Sequence, residues 1–302
     1  MVMPTTVRGS AARPRWRRWG LCVSLTIGVV AVPSPSGAGA PDDGGLVIID
    51  AGDPTNRADL LPSPVAGATA EIVSAETFAS SAVDDATGEV VGEFTATLDS
   101  QQTLVVLEVQ ADGEFVARSR VDSAEVEGAA ELILGLDFRE LVGMGWDSVV
   151  GPDGVVIRSD LVDSGRLTET ALSLRAGLPT PLMALVPMEP VGQGARWTIE
   201  LEDFSGTYSY DCRLVSVAGD RFRVEFDYRF DTTSLQDGTR ARVVTEGHGD
   251  YDGSLARRLD STYRVADRTT VTTEGGSGGA LTDDLTVVTE YTAATVSRPI
   301  GG

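Results

Sequence analysis

The sequence predicts a mainly β protein, an antiparallel meander or half-barrel of about ten strands with two central helical segments. Three observations carry that prediction. In "RFRVEFDYRF", Phe222, Val224, Phe226, Tyr228 and Phe230 alternate without a break with Arg221, Arg223, Glu225, Asp227 and Arg229, the period of a strand with one dry and one wet face. Asp-Gly or Gly-Asp pairs recur between such runs, at Asp112-Gly113, Asp153-Gly154, Gly219-Asp220, Asp237-Gly238 and Asp252-Gly253, and these dipeptides supply the positive φ of tight hairpins. The middle of the chain changes period from two to that of a helix.

The N-terminus has the order of a secretory signal. Arg13, Arg15, Arg17 and Arg18 precede an apolar run of 14 residues, Trp19 to Val32, and then the small residues "PSPSGAGA". The run is shorter than the roughly 20 residues of a bilayer-spanning helix. Small-x-small cleavage sites end at Ala38 and Ala40. Pro41 next to the second disfavours it, so residues 1–38 are read as a signal peptide cleaved after Ala38. Arg17-Arg18 raises a twin-arginine alternative to the general export route, and a retained N-terminal anchor is the other alternative. Leu21 stands where a small residue precedes a lipidated cysteine, which argues against Cys22 as a lipoprotein site. No later apolar run is long enough for a membrane helix, so no integral membrane segment is expected after signal removal.

Residues 39–64 are rich in Gly, Pro, Asp and Ala and read as an extended N-terminal linker. Its one apolar run, "LVIID" (Leu46 to Asp50), suits a docking strand. Residues 65–298 read as a single β-rich domain. Phe94, Ala96 and Leu98 alternate, as do Trp197, Ile199 and Leu201, then Tyr208, Tyr210, Cys212 and Leu214. Leu259, Tyr263 and Val265, and Leu285, Val287 and Tyr291, do so more loosely, and a looser turn signal lies near Asp99 to Gln102. Between these, "AAELILGLDFRELVGM" (Ala129 to Met144) and "RLTETALSLRAG" (Arg166 to Gly177) space their apolar residues for helices, the second with Gly177 and Pro179 as stops.

Composition excludes more than it selects. All 24 basic residues are arginines, against 45 acidic ones. Removing the five in the signal leaves 19, a mature net charge of −26, which repels nucleic acid and anionic lipid heads. A lysine-free chain has neither the lysine of a phosphate loop nor that of a Schiff base. With one histidine and, after signal removal, one cysteine, it lacks the ligands of an ordinary zinc site and can form no internal disulfide.

In "LVPMEPVGQGARWTIEL" (Leu185 to Leu201), Pro187 and Pro190 hold the chain extended, Gly192 and Gly194 permit a sharp turn, and Trp197 opens a strand facing the core. This is architecture rather than a ligand loop. The pattern Pro187, Pro190, Val191, Gly192, Gly194, Ala195, Trp197 resembles the P-x-x-P-V-G-x-G-A-x-W signature of a family of secreted bacterial proteins, a domain of unknown function. "IIDAGDPTNRADLL" (Ile48 to Leu61) and Gly247-His248-Gly249 followed by "DSTYRV" are similar to the same family. The resemblance implies no activity, cofactor or catalytic residue. At the level of fold alone, strands with central helices resemble the half-barrels of extracytoplasmic lipoprotein carriers.

Four stretches invite a chemical reading. Glu246, His248 and Asp250 share one face of a strand, but same-face neighbours lie about 7 Å apart, far for one ion; a solvated face, with Gly247 and Gly249 letting a helix or a Trp ring pack closely behind it, is the better reading. His248 is the one base a Ser-His-Asp hydrolase could use, yet no G-x-S-x-G accompanies it. "GGSGG" (Gly275 to Gly279) lacks the lysine of a phosphate cradle and reads as a loop. "DYDGS" (Asp250 to Ser254) lacks the rest of a calcium loop and reads as a hairpin turn. Cys212, on the apolar face of its strand, reads as a small buried hydrophobe. No catalytic, cofactor-binding or metal-ligating residue is assigned.

The expected protein is exported, secreted or held in the cell envelope, acidic and non-catalytic. Its expected partner is an apolar small molecule or lipid bound between a curved sheet and the helices. The alternative is an acidic structural or interaction protein of the envelope.

Overall fold

In the computed structural model, residues 45–61, 64–128, 138–152, 156–163, 186–203, 206–236, 239–255, 259–274 and 285–300 are described. The signal peptide, the Asp153-Gly154 and Asp237-Gly238 turns and "GGSGG" lie wholly or partly outside them.

The protein is mainly β. Twelve antiparallel strands form one sheet, and two short ones a second. In chain order they are β1 (Gly45–Asp50), β2 (Arg57–Ala58), β3 (Thr69–Asp84), β4 (Val90–Val109), β5 (Phe115–Gly128), β6 (Gly145–Val150), β7 (Val156–Asp163), β8 (Val191–Gly192), β9 (Arg196–Asp203), β10 (Gly206–Ala218), β11 (Arg221–Gln236), β12 (Thr239–Ser254), β13 (Ser261–Glu274) and β14 (Leu285–Pro299). The large sheet runs β1-β9-β10-β11-β12-β13-β14-β3-β4-β5-β6-β7. It is not closed: β1 and β7 are its edges. From β9 to β14 each strand pairs with the next in sequence, as in a meander. Two long-range pairings complete the sheet, β1 with β9 at one edge and β14 with β3, Leu285 with Asp84 through Pro299 with Ala70, in its middle.

The alternation read from Arg221 to Phe230 holds in three dimensions. Phe222, Val224, Phe226 and Phe230 are buried and Tyr228 nearly so, while Glu225, Asp227 and Arg229 are exposed. The same parity runs through β3, where Ala70, Ile72, Phe78 and Ala82 point inward, and β4, where Phe94, Ala96, Leu98, Leu104 and Val106 do. Three apolar clusters lie on this inner face, and Tyr228 and Tyr263 pack against two of them.

The expected helices are not seen. Of the first, only a single 3-10 turn, Phe138–Leu141, appears among the described residues. Gly143 at φ +87° ends it, and the chain at once pairs with β5, Val121 N–H donating to the Met144 carbonyl at 2.9 Å. Leu141 and Met144 are buried by this turn, while Val142 is exposed. The rest of that segment, and all of Arg166 to Gly177, lie outside the described residues.

Turn chemistry corrects two further expectations. Asp112-Gly113 and Gly219-Asp220 do turn, with Gly113 at φ +93° and Gly219 at φ +62°. Asp252-Gly253 does not. It continues β12, with Gly253 opposite Phe222, so "DYDGS" is strand and not a hairpin turn. No turn interrupts Asp99 to Gln102 either. β4 runs through, and a shift of register against β5 at Gln101/Gln102 is a bulge, which bends a strand without ending it. An unforeseen turn instead joins β3 to β4, where the Asp84 carboxylate accepts from Ala86 N–H at 3.0 Å and Thr87 N–H at 2.9 Å.

"LVIID" docks as expected, β1 pairing with β9 from Gly45–Glu200 to Asp50–Arg196. The linker continues into the fold beyond it, since β2 pairs with β8, Arg57 with Gly192 and Ala58 with Val191. The two stretches "IIDAGDPTNRADLL" and "PMEPVGQGARW" are thus one structural unit. A Cβ on Gly192 would stand 2.0 Å from the Asp53 carbonyl oxygen, and one on Gly52 2.3 Å from that of Gly192. Only glycines allow the two backbones to touch so closely. Trp197, fully buried, seals the junction with Val191 and Ala195.

Candidate functional site

Strands β9 to β13 present two surfaces of opposite character, because successive side chains leave a strand on opposite faces.

The outer face is a lattice of charge. Arg229, Glu246, Arg268 and Glu290 stand in register across four strands, with Arg229 paired to Glu246 and, at 3.3 Å, to Asp231. Arg242 pairs with Asp231 at 2.7 Å and Arg264 with Asp250 at 3.1 Å. Such exposed pairs are individually worth little, but together they fix alternating sign along the sheet. Within this lattice lies a groove of about 770 Å³, lined by Arg196, Arg213, Arg223, Glu225, His248 and Asp250 among others.

Glu246, His248 and Asp250 share this outer face, as their spacing requires. His248 faces Asp227 on one side and Ala266 on the other, so neither register neighbour offers a nucleophile. Among the described residues no three His, Cys, Asp or Glu side chains are arranged to hold a metal ion. Behind His248, Gly247 and Gly249 lie under aromatic rings. A Cβ on Gly249 would be 2.4 Å from Phe226 Cζ, and one on Gly247 2.5 Å from Tyr228 Cε1. Gly253 is covered by the Phe222 ring in the same way. The rings therefore lie flat across β12, and Phe226 reaches over Gly249 to stack on Tyr263 at 5.8 Å. Tyr208 and Phe230 stack at 4.3 Å, and Tyr210 and Tyr228 at 5.7 Å. Cys212 is buried in this field, and burial pushes its thiol up to about 12, the behaviour of an inert hydrophobe.

Across this inner face runs a polar stripe that sequence reasoning missed. Tyr228 donates its hydroxyl to Asp267 Oδ2. Tyr291, in register with Asp267, donates to Glu76 Oε2 at 3.1 Å. Ser74 lies 3.4 Å from Glu76 Oε1 and 3.0 Å from Thr295 Oγ1. Ser100 faces Ser74 across β3 and β4, and Gln102 follows on the same face. Thr245 and Thr269, and Thr289 and Ser80, form further buried hydroxyl pairs. Burial raises both carboxyls to about 7, although hydrogen bonds from Tyr228 to Asp267, and from Tyr291 and Ser74 to Glu76, pull the other way.

The stripe is incomplete. Ser100 Oγ, Gln102 Nε2 and Asp267 Oδ1 are buried without a hydrogen-bond partner; a fourth such atom, Arg223 Nε, belongs to the outer groove. Ser100, Gln102 and Asp267 are 4 %, 1 % and 7 % exposed. The signal for the stripe was present: Glu76 has the parity of Ile72 and Phe78, and Asp267 that of Val265 and Val271. An acid at an inward position of an alternating strand is the mark.

No family model matches the chain, and no curated protein does. Among solved structures, a Pseudomonas aeruginosa FadL homologue aligns over 84 % of this chain and 99 % of its own at 9 % identity, with a TM-score of 0.18. A structure described as an AttH protein from Nitrosomonas europaea aligns over 73 % of this chain and 92 % of its own at 6 % identity, with a TM-score of 0.09. At those scores neither likeness bears on fold or function.

Proposed function

We propose that this is a non-catalytic exported protein that binds an apolar ligand against the inner face of its curved sheet. The observation that carries the reading is the combination on that face of a dense aromatic field with buried polar atoms that protein groups leave unpaired. Buried polar atoms are nearly always hydrogen-bonded, and one left alone costs about 1–3 kcal/mol. Three on one inner face support a partner from outside the chain. Export rests on the arginine-rich, apolar and small-residue order of residues 1–38. A location in the envelope or outside the cell follows from it, as does the likeness to the secreted family carried by Pro187 to Trp197. The outer rows, charged from Arg229 to Glu290, suit water rather than lipid tails.

The experiment is native mass spectrometry of the protein purified from its producing cells, followed by solvent extraction and a melting curve of the stripped protein. The reading expects a co-purifying apolar molecule whose return raises the melting temperature in proportion to the logarithm of its concentration. An empty protein with an unchanged melting curve defeats it.

A second reading, an acidic structural or interaction protein, draws on the outer groove with Arg196, Arg213 and Arg223 set among Glu225, His248 and Asp250. It expects partner capture that weakens with salt, because screening acts within about 8 Å at physiological ionic strength. Capture indifferent to salt would count against it.

A further inference from the structure

Among the described strands, the charged side chains buried on the inner face are of one sign. Asp267 and Glu76 are buried there. No arginine of strands β1 to β14 is buried, and those of β9 to β14 stand on the outward rows that alternate with the buried ones. Asp267 is the less complete of the two acids. Its Oδ2 accepts from Tyr228, while Oδ1 has no partner. In register, Asp267 has Gly247 on one side and Tyr291 on the other. The bare Gly247 brings the Tyr228 ring over the backbone toward Asp267, since a Cβ there would lie 2.5 Å from Tyr228 Cε1 and 2.6 Å from Asp267 Cβ. Burial above all raises the hydroxyls of Tyr263 and Tyr291, and the charge of Asp267 adds to both in the same direction. One unpaired carboxylate oxygen among several tyrosines, on strands that bury no arginine, suits an ammonium group, which attracts both carboxylate and ring faces. A carboxylate or phosphate head would meet like charge and, among the described strands, no buried cation.

We propose that the inner face takes an apolar molecule bearing an amine, whose protonated nitrogen donates to Asp267 Oδ1 beside Tyr228 and Tyr291. This rests on the reading of the inner face as a ligand site and adds the class of ligand. Burial by itself favours the protonated acid; an ammonium ion beside it restores the carboxylate.

The test uses the full secreted chain, stripped of bound molecules and loaded with the neutral fluorophore N-phenyl-1-naphthylamine. Dodecylamine, dodecanol and dodecanoate then compete for it below their micelle concentrations. About 0.5 M sodium chloride screens the acidic exterior. Dodecylamine is expected to displace the fluorophore at a concentration at least about tenfold lower than dodecanol, with dodecanoate the weakest. Asp267→Asn, which keeps an acceptor for Tyr228, is expected to erase the amine's advantage and leave dodecanol unchanged. Asp250→Asn, on the outer face, is expected to preserve it. Equal competition by the amine and the alcohol, preference for dodecanoate, or an advantage that survives Asp267→Asn overturns the amine assignment while leaving the ligand site standing. If neither the fluorophore nor any competitor binds, the ligand site itself fails and the assignment goes with it. Should Asp267→Asn not fold, the ranking by the unmodified protein decides.

Discussion

Tyr228 donates its hydroxyl to Asp267 over the backbone of Gly247, so that two residues on strands β11 and β13 meet across the intervening β12. The contact exists because one position between them has no side chain. It joins the aromatic field to the polar stripe, and several consequences can be measured.

Gly247→Ala would force a methyl group to within 2.5 Å of Tyr228 Cε1 and 2.6 Å of Asp267 Cβ. Neither can retreat, since one is stacked on Tyr210 and the other is fixed to the strand. Overpacking of this kind costs about 1–3 kcal/mol. A urea titration of the variant is expected to show the free energy of unfolding falling by that amount. A neutral substitution would mean that the ring does not lie over the glycine.

The two buried acids set a pH dependence opposite to that of ordinary surface carboxylates. Folding raises Glu76 from 4.5 and Asp267 from 3.8 to about 7, through burial first of all. Between about pH 4 and pH 7 the folded state therefore holds protons that the unfolded state has released, and stability falls as pH rises through that window. The penalty is absent below the unfolded values and complete above about 7. At about 1.4 kcal/mol per pKa unit it reaches roughly 3–4 kcal/mol for each acid, the larger for Asp267. Comparing urea midpoints of the stripped protein with those of a Glu76→Gln, Asp267→Asn double variant from pH 4 to 8 isolates it. The relative stability of the double variant is expected to grow with pH and level off above 7; a flat difference would show that the acids are not shielded from water.

Cys212 is 3 % exposed and its thiol is pushed up to about 12. An aromatic disulfide reagent at pH 8 is expected to leave the folded protein untouched and to label it fully in denaturant. Rapid labelling of the native protein would place the thiol outside the aromatic field.

Gly192 tests the docking of the N-terminal segment. A Cβ there would stand 2.0 Å from the Asp53 carbonyl oxygen and 2.7 Å from the Asp53 amide nitrogen. Gly192→Ala is therefore expected to separate β2 from β8 and loosen β1, whose Ile48 pairs with Trp197. Proteolysis between Gly45 and Leu61, together with red-shifted tryptophan emission, would report it. A variant as resistant to protease as the parent would mean that the two segments are not pressed together.

The sequence by itself determined the class of the protein and the two faces of its strands. Alternation from Arg221 to Phe230 set which side chains would be dry, because a strand sends successive residues to opposite faces wherever it lies. The same rule put Glu246, His248 and Asp250 together and buried Cys212; it left room behind Gly247 and Gly249 for a helix or a Trp ring, a place that Tyr228 and Phe226 take instead. What it left open was pairing and count. Asp252-Gly253 has turn chemistry, yet the ring of Phe222 needs the bare Gly253 beneath it, so packing from the neighbouring strand overrode a local preference. Of the residues spaced for a helix, Leu141 is buried by a short turn and Val142 is exposed, so a turn rather than a helical face accounts for that end of the segment. The tertiary structure alone brought Glu76 and Tyr291, 215 residues apart, into one hydrogen bond. Local sequence cannot specify it, since a contact across the sheet depends on which strands become neighbours, and that is settled by the closure of β14 onto β3.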